Sequence, residues 1–308
     1  MKVLVTGGAG FIGSHVVDLL CKDGHSVHVV DNLSSGSKDN VNASATFHLL
    51  DIRTPECAML ITELVPDVVI HTAAQMSVRE SMANPINDVD VNVCGLLNIL
   101  QALPKGNFPF FVFLSTGGAI YGEQEQFPCS ESHPKQPISV YGASKLASEI
   151  YLELWQRVYA LDFATLRLAN VYGPRQNPHG EAGVVAIFCN ALLSGLPVKI
   201  YGDGSQTRDY IFVQDVAEAV VKAATSKVNG TFNIGTGVET SVNQLFSTMA
   251  SVSELKTGAN FFPTRTGEQM RSCISPELAE RKLHWKAQIQ LAAGLRATVA
   301  WAKEHLKH

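Results

Sequence analysis

Residues 6–14 read Thr6-Gly7-Gly8-Ala9-Gly10-Phe11-Ile12-Gly13-Ser14. The stretch follows an apolar run, Lys2–Thr6, and opens a helical pattern, Phe11–Lys22. It satisfies G-x-G-x-x-G counted from Gly8 and G-x-x-G-x-x-G counted from Gly7. Glycines at this spacing let a strand turn tightly into a helix. They also let the backbone approach a pyrophosphate seated on the helix N-terminus. The second apolar run ends at Asp31, 18 residues after Gly13. A carboxylate there accepts hydrogen bonds from ribose hydroxyls and repels a 2′-phosphate, which points to NAD rather than NADP. A third run closes on Asp51-Ile52. For Asp51 an adenine contact and a turn-capping role are both open readings.

Outward from this loop, short β-branched runs alternate with longer helical patterns. Strands are expected at Lys2–Thr6, Ser26–Asp31, Thr46–Asp51, Asp67–His71, Phe110–Ser115 and Phe163–Arg167. Helices are expected at Phe11–Lys22, Pro55–Leu64, Pro85–Leu103 and Val140–Tyr159. Runs such as Val68-Val69-Ile70 and Phe110–Leu114 are apolar throughout, as suits strands covered on both faces. The expected class is therefore α/β: a Rossmann-type doubly wound parallel sheet with a smaller C-terminal α+β substrate domain. The first domain is expected over residues 1–172, with a return segment near 209–236, and the second over 173–308. Past Gly173 the rhythm loosens, and Pro174, Pro178, Gly180 and Gly183 mark a loop.

The chain has 308 residues, 46% hydrophobic and 17% charged, enough to bury a core without disulfides or metals. A net charge of −4 gives no basic surplus for a nucleic-acid backbone, so no nucleic-acid partner is expected. No apolar run approaches the roughly 20 residues of a membrane span, and the first run is too short for a signal-peptide core. Cysteines 21, 57, 94, 129, 189 and 273 form no CxxC pair and have no histidines at zinc-ligand spacing. They read as reduced packing residues of a cytoplasmic protein, with no metal site.

Tyr141 and Lys145 stand four residues apart at the start of a helical pattern, on one face. A tyrosine with a pKa near 10 is a poor base at pH 7. An ammonium beside it, together with a nicotinamide cation, favours the phenolate and is expected to lower that pKa. Alone, such a pair reads as a surface contact. Beside a dinucleotide loop it reads as an acid–base site.

These segments carry a resemblance. Thr6–Ser14, Asp31–Gly36, His71–Ala74, Asn92–Gly95, Ser115–Gly122, Tyr141–Lys145, Arg167–Pro174 and Arg208–Ile211 together resemble the extended short-chain dehydrogenases/reductases. The likeness is to their nucleotide-sugar epimerase/dehydratase group, and within it to the UDP-glucose (galactose) 4-epimerases. It spans nearly the whole chain. It implies NAD held by Gly7, Gly10, Phe11, Ile12, Gly13, Asp31, Asn32, Ser35, Gly36, Asp51, Ile52, Ala73, Ala74, Asn92, Tyr141 and Lys145. It implies that Tyr141 exchanges a proton with the sugar 4-hydroxyl while hydride leaves and returns at C4, and that Lys145 binds the nicotinamide ribose. The second domain would bind the nucleotide sugar through Asn170, Arg208, Arg265 and Tyr201, the last beside the uracil, with Arg271 a weaker candidate.

One position departs from the family. The family places Ser or Thr four residues before the tyrosine of the Ile120-Tyr121-Gly122 turn, and here that position is Gly117. Thr116 is the expected replacement at the catalytic and substrate site; Ser115 or a water is the alternative. Gly117-Gly118 also lacks the acid that dehydratases and decarboxylases carry there, which disfavours elimination. Ser272, small where related epimerases restrict the pocket with a bulky residue, implies that UDP-N-acetylglucosamine is accepted as well. The alternatives are a UDP-glucuronate 4-epimerase, with Arg79 facing the sugar acid, another enzyme of the group, or a catalytically silent nucleotide-sugar-binding regulator. A homodimer built on Pro85–Leu103 and Val140–Tyr159 is expected from the resemblance.

Overall fold

The structure is a computed structural model and describes residues 1–178, 183–254, 257–264 and 269–305. Six strands alternate with helices from the N-terminus: β1 (Lys2–Thr6), β2 (Ser26–Asp31), β3 (Thr46–Leu49), β4 (Val68–His71), β5 (Phe110–Thr116) and β6 (Phe163–Leu168). Later come β7 (Asn170–Tyr172), β8 (Val198–Tyr201), β9 (Thr207–Phe212), β10 (Gly230–Ile234), β11 (Glu239–Ser241), β12 (Ala259–Phe262) and β13 (Arg271–Ser272). Seven form one sheet in the order β10-β6-β5-β4-β1-β2-β3, every pair parallel. The chain runs outward from β1 to β3, then crosses back to β4 and runs the other way. That reversal opens a crevice beyond the C-terminal ends of β1 and β4, where doubly wound sheets bind ligands.

Strand alternation divides the core. Val3, Val5, Val68, Ile70, Phe110, Val112 and Leu114 face α1 (Phe11–Lys22) and a later helix (Val213–Ser226). Leu4, Val69, Phe111 and Phe113 face the opposite layer of α2 (Pro55–Leu64), a helix at Gly95–Ala102 and the long helix Val140–Tyr159. Period-2 side chains thus give each strand two buried faces, and this is why its sequence is apolar throughout.

The third strand stops at Leu49 rather than Asp51, and two larger expectations change. The single helix expected over Pro85–Leu103 is α4 (Pro85–Val89), a π turn at Asp90–Cys94 and α5 (Gly95–Ala102), preceded by a short α3 (Val78–Ala83). At the π turn the Asn92 carbonyl accepts from Ser148 Oγ of α6 (Val140–Tyr159), so a neighbouring helix occupies an acceptor of the local ladder. The return to the large sheet starts later than expected. β9 pairs with β7, β11 and β13 in a separate small sheet, and only α8 (Val213–Ser226) and β10 rejoin the large one. A further core, around Tyr172, Phe188, Leu192, Ile200, Leu245 and Leu295, gathers the helices Val184–Leu193, Val242–Ser253 and Leu291–His305.

Candidate active site

A cavity of about 390 Å³ occupies the crevice. It is lined by Gly7, Gly10, Phe11, Ile12 and Gly13, by Asp31, Asn32 and Ser35, by Asp51 and Ile52, and by Ala73 and Ala74. Thr116, Tyr141, Lys145 and Asn170 line it too. Elements far apart in sequence therefore meet on one wall.

The glycine loop has room for backbone and nothing more. Gly7 sits at φ +73°, and a Cβ there would lie 2.6 Å from the Ala73 nitrogen. A Cβ on Gly13 would overlap the Gly7 carbonyl oxygen and lie 2.8 Å from Thr72 Oγ1. Gly10 caps α1 without any side-chain hydrogen bond. Gly10, Phe11, Ile12 and Gly13, at the start of the helix, line the cavity, and a helix N-terminus favours an anion there. Asp31 is anchored to the same loop: its Oδ2 accepts from the Ala9 amide (3.0 Å) and its Oδ1 from the Leu33 amide (2.8 Å). Each oxygen keeps acceptor capacity for a diol. Asp51 takes the turn-capping role. It caps its turn through the Arg53 amide (2.9 Å) and still lines the cavity. Hydrogen bonds from the Arg53 guanidinium hold its carboxyl well below the usual carboxylate range, and Asn32 Nδ2 adds a third (2.9 Å). The cradle thus fits a dinucleotide.

At the other end stand Thr116, Tyr141 and Lys145. Ser139 caps α6 through the Gly142 amide (3.1 Å), which sets the first turn and so the position of Tyr141. Lys145 Nζ donates to the Leu114 carbonyl (2.9 Å) and lies 4.8 Å from the Phe113 ring centre and 6.0 Å from that of Tyr141. Burial pulls the Lys145 pKa down to about 8, so the ammonium still predominates at neutral pH. The Tyr141 pKa moves against expectation. Burial, joined by the charge of Asp88, pushes it up in the protein's own field. The two candidate hydroxyls on β5 part ways. Ser115 Oγ donates to Glu149 Oε1 (2.6 Å) in the interior. Thr116 lines the cavity, and its hydroxyl makes no hydrogen bond among the described residues.

Other expected residues lie elsewhere. Gly117 is packed out of the cavity: its amide donates to the Leu168 carbonyl (2.8 Å), and a Cβ would come within 2.7 Å of Ile274 Cδ1. Gly36 backs the glycine loop at Ala9. Asn92 is buried, and its carboxamide clamps both backbone groups of Gln75 (3.0 and 2.9 Å). Tyr201 lines a second cavity of about 340 Å³ with Phe262, Pro263 and Met270. Arg208 and the buried Ser272 are register partners on β9 and β13. Arg271 forks onto Glu239 (2.9 and 2.6 Å) and stacks on Phe127. Arg265 lies outside the described residues.

Four contributing residues went unread in the sequence. Thr72 Oγ1 donates to the Thr6 carbonyl (2.7 Å) and floors the loop under Gly13. Arg167 and Glu149, each 3% exposed, pair through two hydrogen bonds (3.0 and 2.6 Å) behind Ser115. Asp88 is buried beside α6. Arg167 is the single charge in the apolar run Phe163–Leu168, and Asp88 is one of several polar residues in its helix pattern.

Comparison with known proteins agrees with this geometry. Residues 3–235 match the NAD dependent epimerase/dehydratase family. A UDP-glucose 4-epimerase of Mycolicibacterium smegmatis is 44% identical over 305 residues, covering 97% of each chain. A crystal structure of a Thermotoga maritima UDP-glucose 4-epimerase with UDP-glucose superposes with a TM-score of 0.96, at 45% identity and full coverage of both chains. A Thermus thermophilus UDP-glucose 4-epimerase in complex with NAD gives 0.94 at 42% identity, covering 99% of this chain and 100% of that one. Among the described residues no helix is long and apolar enough to cross a membrane.

Proposed function

Because the chain belongs to the NAD-dependent epimerase/dehydratase family, we propose that it interconverts UDP-glucose and UDP-galactose through a 4-keto sugar, with NAD as cofactor. The observation that carries this reading is one cavity that joins the glycine cradle to Thr116, Tyr141 and Lys145. Held by the glycine cradle and Asp31, NAD would supply a hydride acceptor and donor for the sugar C4 and, when oxidised, a positive charge. The phenol oxygen of Tyr141 takes the proton of the sugar 4-hydroxyl and later returns it. Thr116 Oγ1 hydrogen-bonds the same sugar oxygen and orients it. Lys145, fixed by the Leu114 carbonyl, places a positive charge that favours phenolate over phenol. Asp31 selects a cofactor with a free ribose diol.

The cavity also argues against elimination. Its only lining carboxylates among the described residues are Asp31 and Asp51, both tied to the glycine-loop end. Among the described residues no acid lines the cavity beside Thr116, which argues against dehydration and decarboxylation. Arg79 does not line the cavity, and Lys145 is committed, so nothing favours a sugar acid over a hexose. A silent binder would have no use for the Tyr141–Lys145 pair.

The large-sheet unit is assigned to NAD and the remainder to the nucleotide sugar. Asn170 is assigned to the sugar and diphosphate, Arg208 and Arg265 to the diphosphate, and Tyr201 to the uracil. Ser272 leaves room for an N-acetyl group. Turnover of UDP-N-acetylglucosamine should accompany that of UDP-glucose under equal conditions, and its absence would refute the role of Ser272. Six unpaired cysteines suit a reducing compartment, and the enzyme is assigned to the cytoplasm. Ile86, Val89, Ile150, Leu154 and Val158 form exposed apolar positions on α4 and α6, and support a homodimer through these helices. The test of activity is incubation of purified protein with UDP-galactose and no added NAD. UDP-glucose should appear; a protein that neither turns over nor carries NAD would defeat the reading.

A further inference from the structure

Behind Tyr141 and Lys145 lies a carboxylate that the reaction as described leaves unused. Asp88, on α4, is 0% exposed. Its Oδ2 accepts from Gln75 Nε2 (2.8 Å) and Asn92 Nδ2 (3.1 Å), both neutral donors. Its Oδ1 is buried and accepts no hydrogen bond. Among the described residues no Lys or Arg forms an ion pair with it. A buried carboxylate in that state is costly unless a nearby charge compensates it.

α4 packs against α6, which carries the buried Lys145. The charged and titratable groups facing Lys145 are few. Glu149, one turn along α6, is neutralised by the Arg167 guanidinium and also takes the Ser115 hydroxyl. His71 faces it from β4, and burial pushes the His71 pKa down to about 3, so the imidazole adds no charge. Tyr141 is the remaining neighbour. Asp88 is therefore the carboxylate in this group that no cation of its own balances.

We propose that Asp88 is the buried counter-charge of the Tyr141–Lys145 pair and sets the pH window in which that pair works. Its negative charge supports the Lys145 ammonium against the effect of burial and opposes the Tyr141 phenolate. It is a positioning residue in the electrostatic sense, since its effect on the reaction is through its neighbours. The inference rests on the catalytic reading of Tyr141 and Lys145 given above.

The sign of the effect follows from charge alone. Removing one negative charge lowers both apparent pKa values of a coupled pair, whichever group holds the proton. At an effective dielectric near 20, a charge within about 10 Å moves such a value by about one unit. In Asp88→Asn, both limbs of the pH profile of kcat/KM for UDP-galactose should move to lower pH by about one unit. Asp88→Glu should bring them back toward the wild type. If Asp88→Asn does not fold, Asp88→Ser removes the same charge and leaves space for water to serve Gln75 and Asn92. Limbs that stay in place while the rate or melting temperature falls would show a merely structural role and overturn the proposal. Absorbance titration of tyrosine ionisation, referenced to Tyr141→Phe, reads the same displacement without turnover. A wild type inactive on UDP-galactose would thus defeat the assigned activity, while the titration still decides the role of Asp88.

Discussion

At the residue scale, the chemistry turns on which groups remain free to act. Tyr141 and Thr116 line the cavity with hydroxyls that make no hydrogen bond among the described residues, whereas Ser115 is spent on Glu149. Tyr141→Phe should therefore lose turnover by at least about 10²–10⁴-fold while NAD stays bound, read by a coupled assay and by cofactor absorbance. Thr116→Ala and Ser115→Ala should separate cleanly. The first should lower kcat with little change in melting temperature. The second should leave a buried Glu149 oxygen short of a donor and cost about 1–3 kcal/mol of stability in chemical denaturation. The Tyr141–Lys145 pair was legible from spacing, because i, i+4 is a local relation. The choice between Thr116 and Ser115 was not, because it depends on Glu149 in another element. The glycine at 117 has the same kind of cause: the side chain it avoids is that of Ile274, 157 positions later in the chain. The rise in the Tyr141 pKa was also out of reach, since burial and the charge of Asp88 exist only once α4 and α6 pack.

At the scale of the element, the glycine loop is the part read most completely in advance. Its strand, turn and helix are contiguous, so the constraint and the residues that meet it sit in one stretch. Gly13→Ala should keep the fold and lose bound NAD, because the new methyl meets the Gly7 carbonyl at the point where the helix must approach the ligand. Release of cofactor with unchanged far-UV circular dichroism is the expected result. The helix over residues 85–103 was read as continuous because its apolar spacing is continuous. Its π turn is accompanied by a hydrogen bond from Ser148, a contact made across helices and invisible to periodicity. The Arg167–Glu149 pair is a second such cross-element feature. Arg167→Met should destabilise the protein by about 3–5 kcal/mol by leaving Glu149 buried without its cation.

At the scale of the whole molecule, a doubly wound parallel sheet follows from the alternating pattern and the handedness of βαβ crossovers. The small sheet does not, because β7, β9, β11 and β13 are short and come together from scattered positions. Ile86 is 81% exposed and Ile150 53% exposed, on helices that pack against each other. If they form a dimer face, Ile150→Glu should shift the protein to a monomer in sedimentation velocity, with the seven-stranded core intact. The central claim is that one molecule of cofactor removes and returns hydride at C4 inside a closed cycle. UDP-glucose carrying deuterium at C4 tests it directly when turned over in ordinary water without added NAD. The account predicts UDP-galactose that retains the deuterium at C4. Loss of the label to solvent would contradict it, because the carbon-bound hydrogen would then have left as a proton.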